Sequence, residues 1–129
     1  MLKFEKIARI LKVFTITGKY LKLAFRPTSN LDTCKQAWSN EIISLFNVKI
    51  NILGNPYATE ETSLFIGNHI SYLDIPILLN SSPDITFVSK REIRSWPIIG
   101  RAAEKGRTIF VERNNRRSRN IVKNQITNS

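Results

Sequence analysis

The spacing of apolar residues predicts two helices in the first 46 residues. In residues 1–26 apolar positions recur at helical intervals on one face. This face carries Phe4, Ile7, Ala8, Leu11 and Phe14. Pro27 disfavours helix at the preceding residue, and the polar residues after it predict a turn. A second helical pattern covers residues 31–46, so two helices come before the first strand pattern.

From residue 47 the pattern changes to short, apolar runs separated by turn residues. The runs that predict strands are 48–53, 63–67, 85–88 and 108–111. The segments between and after them that predict helices are 71–79, 98–105 and 115–127. Strands that alternate with helices predict an α/β layer with a largely parallel sheet. We therefore expect a helical segment at 1–46 and an α/β domain at 47–129.

Charge is concentrated at the two ends of the chain. The net charge is +10, with +6 in residues 1–26, −4 in residues 27–86 and +8 in residues 87–129. Such a surface attracts anionic membranes, phosphorylated substrates or nucleic acid. No helix-turn-helix, zinc-finger or single-strand-binding pattern accompanies the charge, so we expect no nucleic-acid partner.

The first helix allows two interpretations. Its longest uncharged run, Val13 to Gly18, is much shorter than the ~20 residues of a spanning helix, and lysines interrupt the apolar stretch of a secretory signal. The pattern is typical of a basic amphipathic helix in the membrane interface. It also fits a helix that packs its apolar face on the core, and the two roles are compatible. We expect a membrane-associated protein on the cytoplasmic face of the inner or an equivalent membrane.

The candidate chemistry lies in the segment that runs from Gly67 to Asp74. His69 is the single histidine, and it stands where a predicted strand ends and a helix begins, which is where ligands bind in α/β sheets. The Asp74 carboxylate, five positions on, can turn back to fix the imidazole tautomer of a general base. The spacing from Ser71 to Asp74 equally fits a capping box that serves only the helix N-terminus.

Two further classes of chemistry lack support in the sequence. One histidine without a cysteine cluster offers too few soft ligands, so we expect no metal site. Cys34 is the single cysteine and cannot form an internal disulfide, which favours a reducing compartment.

Three ordered blocks resemble the PlsC-type lysophosphatidate acyltransferase family. Asn68-His69-x-Ser71-x-x-Asp74 resembles its first block, N-H-x-S-x-x-D. The stretch from Phe87 to Glu92, followed by Pro97-Ile98-Ile99-Gly100, resembles its basic stretch and P-x-x-G segment. Gly106 to Arg113 resembles its second block, G-x-I-F-I-D-R, with glutamate at position 112 where the family commonly has aspartate. The resemblance covers roughly residues 45–120, and the two leading helices resemble the family's membrane-facing helical hairpin.

The resemblance implies a role for each matching residue. His69 would be the general base that deprotonates the free hydroxyl of a lysophospholipid, and Asp74 would orient it. That hydroxyl would attack the thioester of an acyl-carrier protein or coenzyme A donor, so no bound cofactor is needed. In this scheme Asn68 and Ser71 brace the turn by hydrogen bonds.

The resemblance also implies an anion-binding group. Arg113 would hold the phosphate of lysophosphatidate, since guanidinium pairs bidentately with phosphate, and Lys90 and Arg91 would add to the same pocket. The family's third block, F-P-E-G-T, does not follow. We therefore expect an incomplete acyltransferase layer in a C-terminally truncated chain. This chain is either an enzyme of phospholipid biosynthesis or a non-catalytic remnant that binds membrane.

Overall fold

The computed structural model describes residues 2–54 and 63–112, together with Asn120 and Lys123. In chain order its elements are α1 (Leu2–Ala24), α2 (Leu31–Leu45), α3 (Asp74–Ser81), β1 (Val88–Lys90), a 3₁₀ helix (Arg91–Ser95), α4 (Ile99–Lys105) and β2 (Ile109–Val111). The combination of helices with a small parallel sheet is compatible with the predicted α/β class.

Several predicted elements are confirmed, and two are wrong. Helices α1, α2 and α4 and strand β2 lie where the patterns place them, whereas α3 begins three residues later than predicted. Strand β1 begins at the last residue of the run predicted at 85–88. The strands predicted at 48–53 and 63–67 are not formed: the described residues there are neither helix nor strand. A strand exists only as part of a ladder, and apolar alternation does not supply the partner. The helix predicted at 115–127 lies mostly outside the described residues.

Helix α2 has a side-chain cap at its start and a left-handed residue at its end. The Asn30 side-chain oxygen accepts a hydrogen bond from the Thr33 backbone N–H at 3.0 Å. At the other end Asn47 has φ 52°, and the N–H groups of Asn47 and Val48 donate to the carbonyls of Ser44 and Ile43. This Schellman arrangement ends the helix and turns the chain away.

The core of the described region is centred on α2, on which α1 and α3 both pack, and α1 also packs on α4. The buried residues are Thr17 and Ala24 in α1, Ser39 and Ile42 in α2, and Pro76 and Leu79 in α3. Polar contacts reinforce the packing of α1 on α2. Trp38 Nε1 donates to Thr17 Oγ1 at 3.1 Å, and Lys19 forms an ion pair with Glu41. This core joins residues on both sides of position 46, where the sequence pattern changes.

The N-terminal half of α1 lies outside this core. Phe4, Ile7, Ile10 and Leu11 are between 55% and 82% exposed. The basic residues Lys6, Arg9 and Lys12 are exposed beside them. No helix among the described residues is long and apolar enough to cross a bilayer. We call these seven residues the α1 amphipathic surface.

The parallel pair β1 and β2 forms a β-α-β unit with the 3₁₀ helix and α4 between its strands. Register runs from Val88 opposite Ile109 to Lys90 opposite Val111. Gly100 is buried against the 3₁₀ helix, where a Cβ would collide with the Arg94 carbonyl. Just before it, Ile98 has φ 62°, and the Ile99 N–H donates to the Pro97 carbonyl. The close approach explains why a glycine stands at the end of the P-x-x-G segment.

Candidate active site

The structure brings His69 and Asp74 together. His69 Nδ1 lies 3.0 Å from Asp74 Oδ2, although five positions separate the two residues. The chain turns between the two residues, and α3 begins at Asp74. The side chain of Asp74 points back toward the residues before the helix, where it meets the imidazole. The predicted pairing is therefore present in the fold.

The same carboxylate oxygen holds the backbone of the turn. Asp74 Oδ2 accepts hydrogen bonds from the N–H groups of Ile70 at 3.0 Å and Ser71 at 3.1 Å. Ser71 Oγ in turn accepts from the Leu73 N–H at 3.1 Å. These bonds are of the capping-box kind, so helix capping and contact with the imidazole are combined in one carboxylate.

These bonds set the protonation of the pair. The backbone N–H of Ser71 is the main cause that lowers the pKa of Asp74 below its ordinary value; His69 and the Ile70 N–H add to it, and partial burial opposes it. The carboxylate is therefore ionised at neutral pH and can only accept hydrogen bonds. A hydrogen bond to this carboxylate requires a proton on His69 Nδ1, and in the neutral imidazole Nε2 then carries the lone pair.

His69 remains open to a reactant. Its side chain is 60% exposed, whereas that of Asp74 is 31% exposed. An accessible imidazole with a carboxylate behind it is compatible with the general-base role that the sequence predicts. Asn68 is exposed in the segment before the turn, and Ser71 makes the type of bond that a bracing residue needs. The bracing roles stay predictions.

Helix α2 fixes the position of α3. Helix α3 packs on α2 with Pro76 and Leu79 buried, and the Asn80 side-chain amide donates to the side-chain oxygen of Asn40. The Lys35 ammonium donates to the Ile85 carbonyl at 3.3 Å, which ties the chain beyond α3 to the same helix. The turn that carries His69 is thus attached to the helical core.

Two of the predicted anion-binding residues, Lys90 and Arg91, lie at the carboxyl end of β1. Lys90 ends β1, and the next residue, Arg91, forms an ion pair with Glu112, which directly follows β2. Arg113 lies outside the described residues. Within the part of the chain that the structure describes, no hydrogen bond or ion pair joins Lys90 or Arg91 to His69 or Asp74. The sequence did not predict that Glu112 pairs with Arg91. The acidic residue that precedes the arginine of the second block could have indicated a partner for a basic residue at the neighbouring strand end.

Apolar side chains surround the histidine turn along the chain. Leu64, Phe65, Ile66, Ile70 and Tyr72 are between 56% and 91% exposed. Two of them, Ile70 and Tyr72, alternate with His69 and Ser71 in a turn whose backbone the Asp74 carboxylate holds. Their exposure therefore does not arise from a loose backbone at that point.

Comparison with known proteins identifies the family of the chain. A protein-family model described as Acyltransferase matches residues 49–129. A lyso-ornithine lipid O-acyltransferase of Pseudomonas aeruginosa is 36% identical over 84 residues, which are 65% of this chain and 31% of that protein. A similar enzyme of Rhizobium meliloti is 32% identical over 89 residues, 69% of this chain and 30% of the relative.

A second type of relative has a different acceptor in its name. A 1-acyl-sn-glycerol-3-phosphate acyltransferase of Neisseria gonorrhoeae is 41% identical over 54 residues, 42% of this chain and 21% of that protein. The chain spans less than a third of the length of these relatives. No solved structure matches it. The resemblance to PlsC-type enzymes is confirmed, and this chain belongs to the acyltransferase family.

Proposed function

We propose that the chain carries the His–Asp pair of an O-acyltransferase that acylates a lysolipid at an anionic membrane surface. The observation that carries the proposal is the Asp74 carboxylate, which accepts from His69 Nδ1 and from two backbone N–H groups of the same turn. This arrangement leaves His69 Nε2 as an accessible base.

The reaction needs one proton to move twice. His69 Nε2 removes the proton of the acceptor hydroxyl while the hydroxyl oxygen bonds to the thioester carbonyl carbon of an acyl-carrier protein or acyl-CoA donor. Collapse of the tetrahedral intermediate breaks the carbon–sulfur bond, and the leaving thiolate takes the proton back from His69. Asp74 keeps its charge and stabilises the imidazolium between the two transfers. No enzyme nucleophile is required, because the substrate hydroxyl serves as one.

Lysophosphatidate is the acceptor that the sequence predicts. A phosphate monoester would meet Lys90 and Arg91 near the carboxyl end of β1, the usual ligand edge of a parallel sheet. The resemblance adds Arg113, which lies outside the described residues. Lyso-ornithine lipid is the second candidate acceptor, because the relatives aligned over the longer part of the chain carry that name.

The α1 amphipathic surface supports a membrane partner. Its apolar side chains are exposed next to basic residues that would face anionic lipid headgroups, each worth ~1 kcal/mol near the surface. This location would also bring the enzyme to an acceptor that resides in the bilayer.

The decisive experiment is transfer of a labelled acyl group to each acceptor by membranes from cells that express the chain. His69→Ala should reduce turnover by about 10²–10⁴-fold. Gln36→Ala, which changes an exposed residue of α2, is the matched control and should act like the unsubstituted chain. Equal turnover in His69→Ala would remove the assigned role.

A non-catalytic, membrane-binding remnant is the alternative function. The observation that favours it is the exposure of Leu64, Phe65 and Ile66, the apolar run that the sequence predicts to be a sheet strand. A folded, vesicle-bound chain without detectable transfer to either acceptor would establish the alternative, whereas His69-dependent transfer would exclude it.

A further inference from the structure

The helix that begins with Asp74 packs on α2, and α2 packs on α1, which carries the α1 amphipathic surface. Pro76 and Leu79 of α3 and Ile42 of α2 are buried, and α2 is joined to α1 through Trp38 and Thr17. A continuous series of packed helices therefore runs from α1 to the histidine turn. None of its steps passes through the β1–β2 pair.

Asn40 and Asn80 form a side-chain to side-chain hydrogen bond in this path. The Asn80 amide donates to the Asn40 carbonyl oxygen across the α2–α3 contact. Asn80 lies six residues after Asp74, which corresponds to about 9 Å along the helix axis. Apolar packing alone is non-directional, so a polar bridge at this point restricts how far α3 can slide or rotate on α2.

We propose that Asn40 and Asn80 are positioning residues that fix the His69–Asp74 pair relative to the membrane-binding helix. This inference rests on the proposed function. An acceptor embedded in a bilayer presents its hydroxyl at a fixed depth, so the base must be held at a matching height. An acceptor that is dissolved as monomers can approach His69 from any direction, so its turnover does not depend on the height of the base above the bilayer.

The first test compares the two forms of acceptor. Asn40→Ala and Asn80→Ala should each reduce turnover of a long-chain lysophosphatidate in anionic vesicles by about tenfold or more, because small displacements of a catalytic group are costly. Turnover of a short-chain, monomeric lysophosphatidate should change less than about twofold. Asn51→Ala, which alters an exposed asparagine outside the helices, is the matched control. Equal losses on both acceptors would indicate a merely structural role and overturn the proposal.

The second test measures position without turnover. A fluorophore on Tyr72→Cys, in a Cys34→Ser background, reports the height of the turn through quenchers on lipid headgroups. We expect Asn80→Ala to change the quenching at least twofold while co-sedimentation with the vesicles stays the same. Unchanged quenching in both asparagine variants would contradict the positioning role. If the unsubstituted chain shows no transfer at all, the proposed function fails, and the quenching result still decides the positioning role.

Discussion

The His69–Asp74 turn and the paired ends of β1 and β2 are built in different ways. The turn is closed within six residues by hydrogen bonds to a single carboxylate oxygen. The strand ends depend on a register between segments about 20 residues apart and on the ion pair of Arg91 with Glu112. The His69–Asp74 contact can therefore form from local sequence, whereas the proposed anion-binding edge needs a correctly folded β-α-β unit. The two regions should respond separately to substitution.

Replacing Asp74 should have the largest effect and should act on the turn alone. Asp74→Asn offers an amide in place of a carboxylate that accepts several hydrogen bonds, so Nδ1 of His69 is no longer held protonated. We expect the rate of acyl transfer to fall by about 10²–10⁴-fold in a kinetic assay. The thermal unfolding of the β1–β2 region should be affected much less. Asp74→Asn with full turnover would show that the pair only caps the helix.

Replacing Gly100 should act on the other region alone. A Cβ at this position collides with the Arg94 carbonyl, so Gly100→Ala should lower the free energy of unfolding by about 1–3 kcal/mol. Gly18→Ala is the matched control, because a Cβ there meets no atom within 4 Å, and it should stabilise α1 by about 0.5–1 kcal/mol. Chemical denaturation of both variants checks the contrast. Equal effects of the two substitutions would contradict the close approach.

The Arg91–Glu112 ion pair should make a small, salt-sensitive contribution. Both side chains are more than a third exposed, so a double-mutant cycle with Arg91→Gln and Glu112→Gln should give a coupling of about 0.2–1 kcal/mol. The coupling should shrink in high salt, because exposed charges are screened. A coupling that is independent of salt would mean that the pair is shielded from solvent in the folded protein.

Lowering the pH should gradually weaken the hydrogen bonds that hold the histidine turn, and this is the smallest of the expected effects. The folded-state pKa of Asp74 lies below the ordinary aspartate value of about 4. The stabilisation that its carboxylate gives the turn is therefore present above that value and is lost as the pH falls through the folded-state pKa. The protection of the Ile70 and Ser71 amides against hydrogen exchange, taken relative to the intrinsic rate at each pH, should fall over that range. In Asp74→Asn the same amides should show no such carboxylate titration, and a step that persists there would assign the effect to another group.

The same division explains which features the sequence predicts. The Asn30 cap, the end of α2 and the His69–Asp74 contact depend on nearby residues, so motifs and spacing are sufficient for them. The runs at 48–53 and 63–67 have strand-like composition, but a ladder needs a partner whose position the run itself does not encode. Likewise, the bond between Asn40 and Asn80 joins residues forty positions apart, and no local pattern indicates it.

Direct observation of the imidazole tautomer tests the central claim most closely. The chain has a single histidine, so the ¹⁵N resonances of one imidazole can be assigned without ambiguity. For the neutral imidazole we predict a proton on Nδ1 and a free lone pair on Nε2 in the unsubstituted chain, and loss of this preference in Asp74→Asn. A neutral imidazole with its proton on Nε2, or averaging between the two tautomers in both proteins, would contradict the account, because His69 would then lack the oriented base that acyl transfer needs.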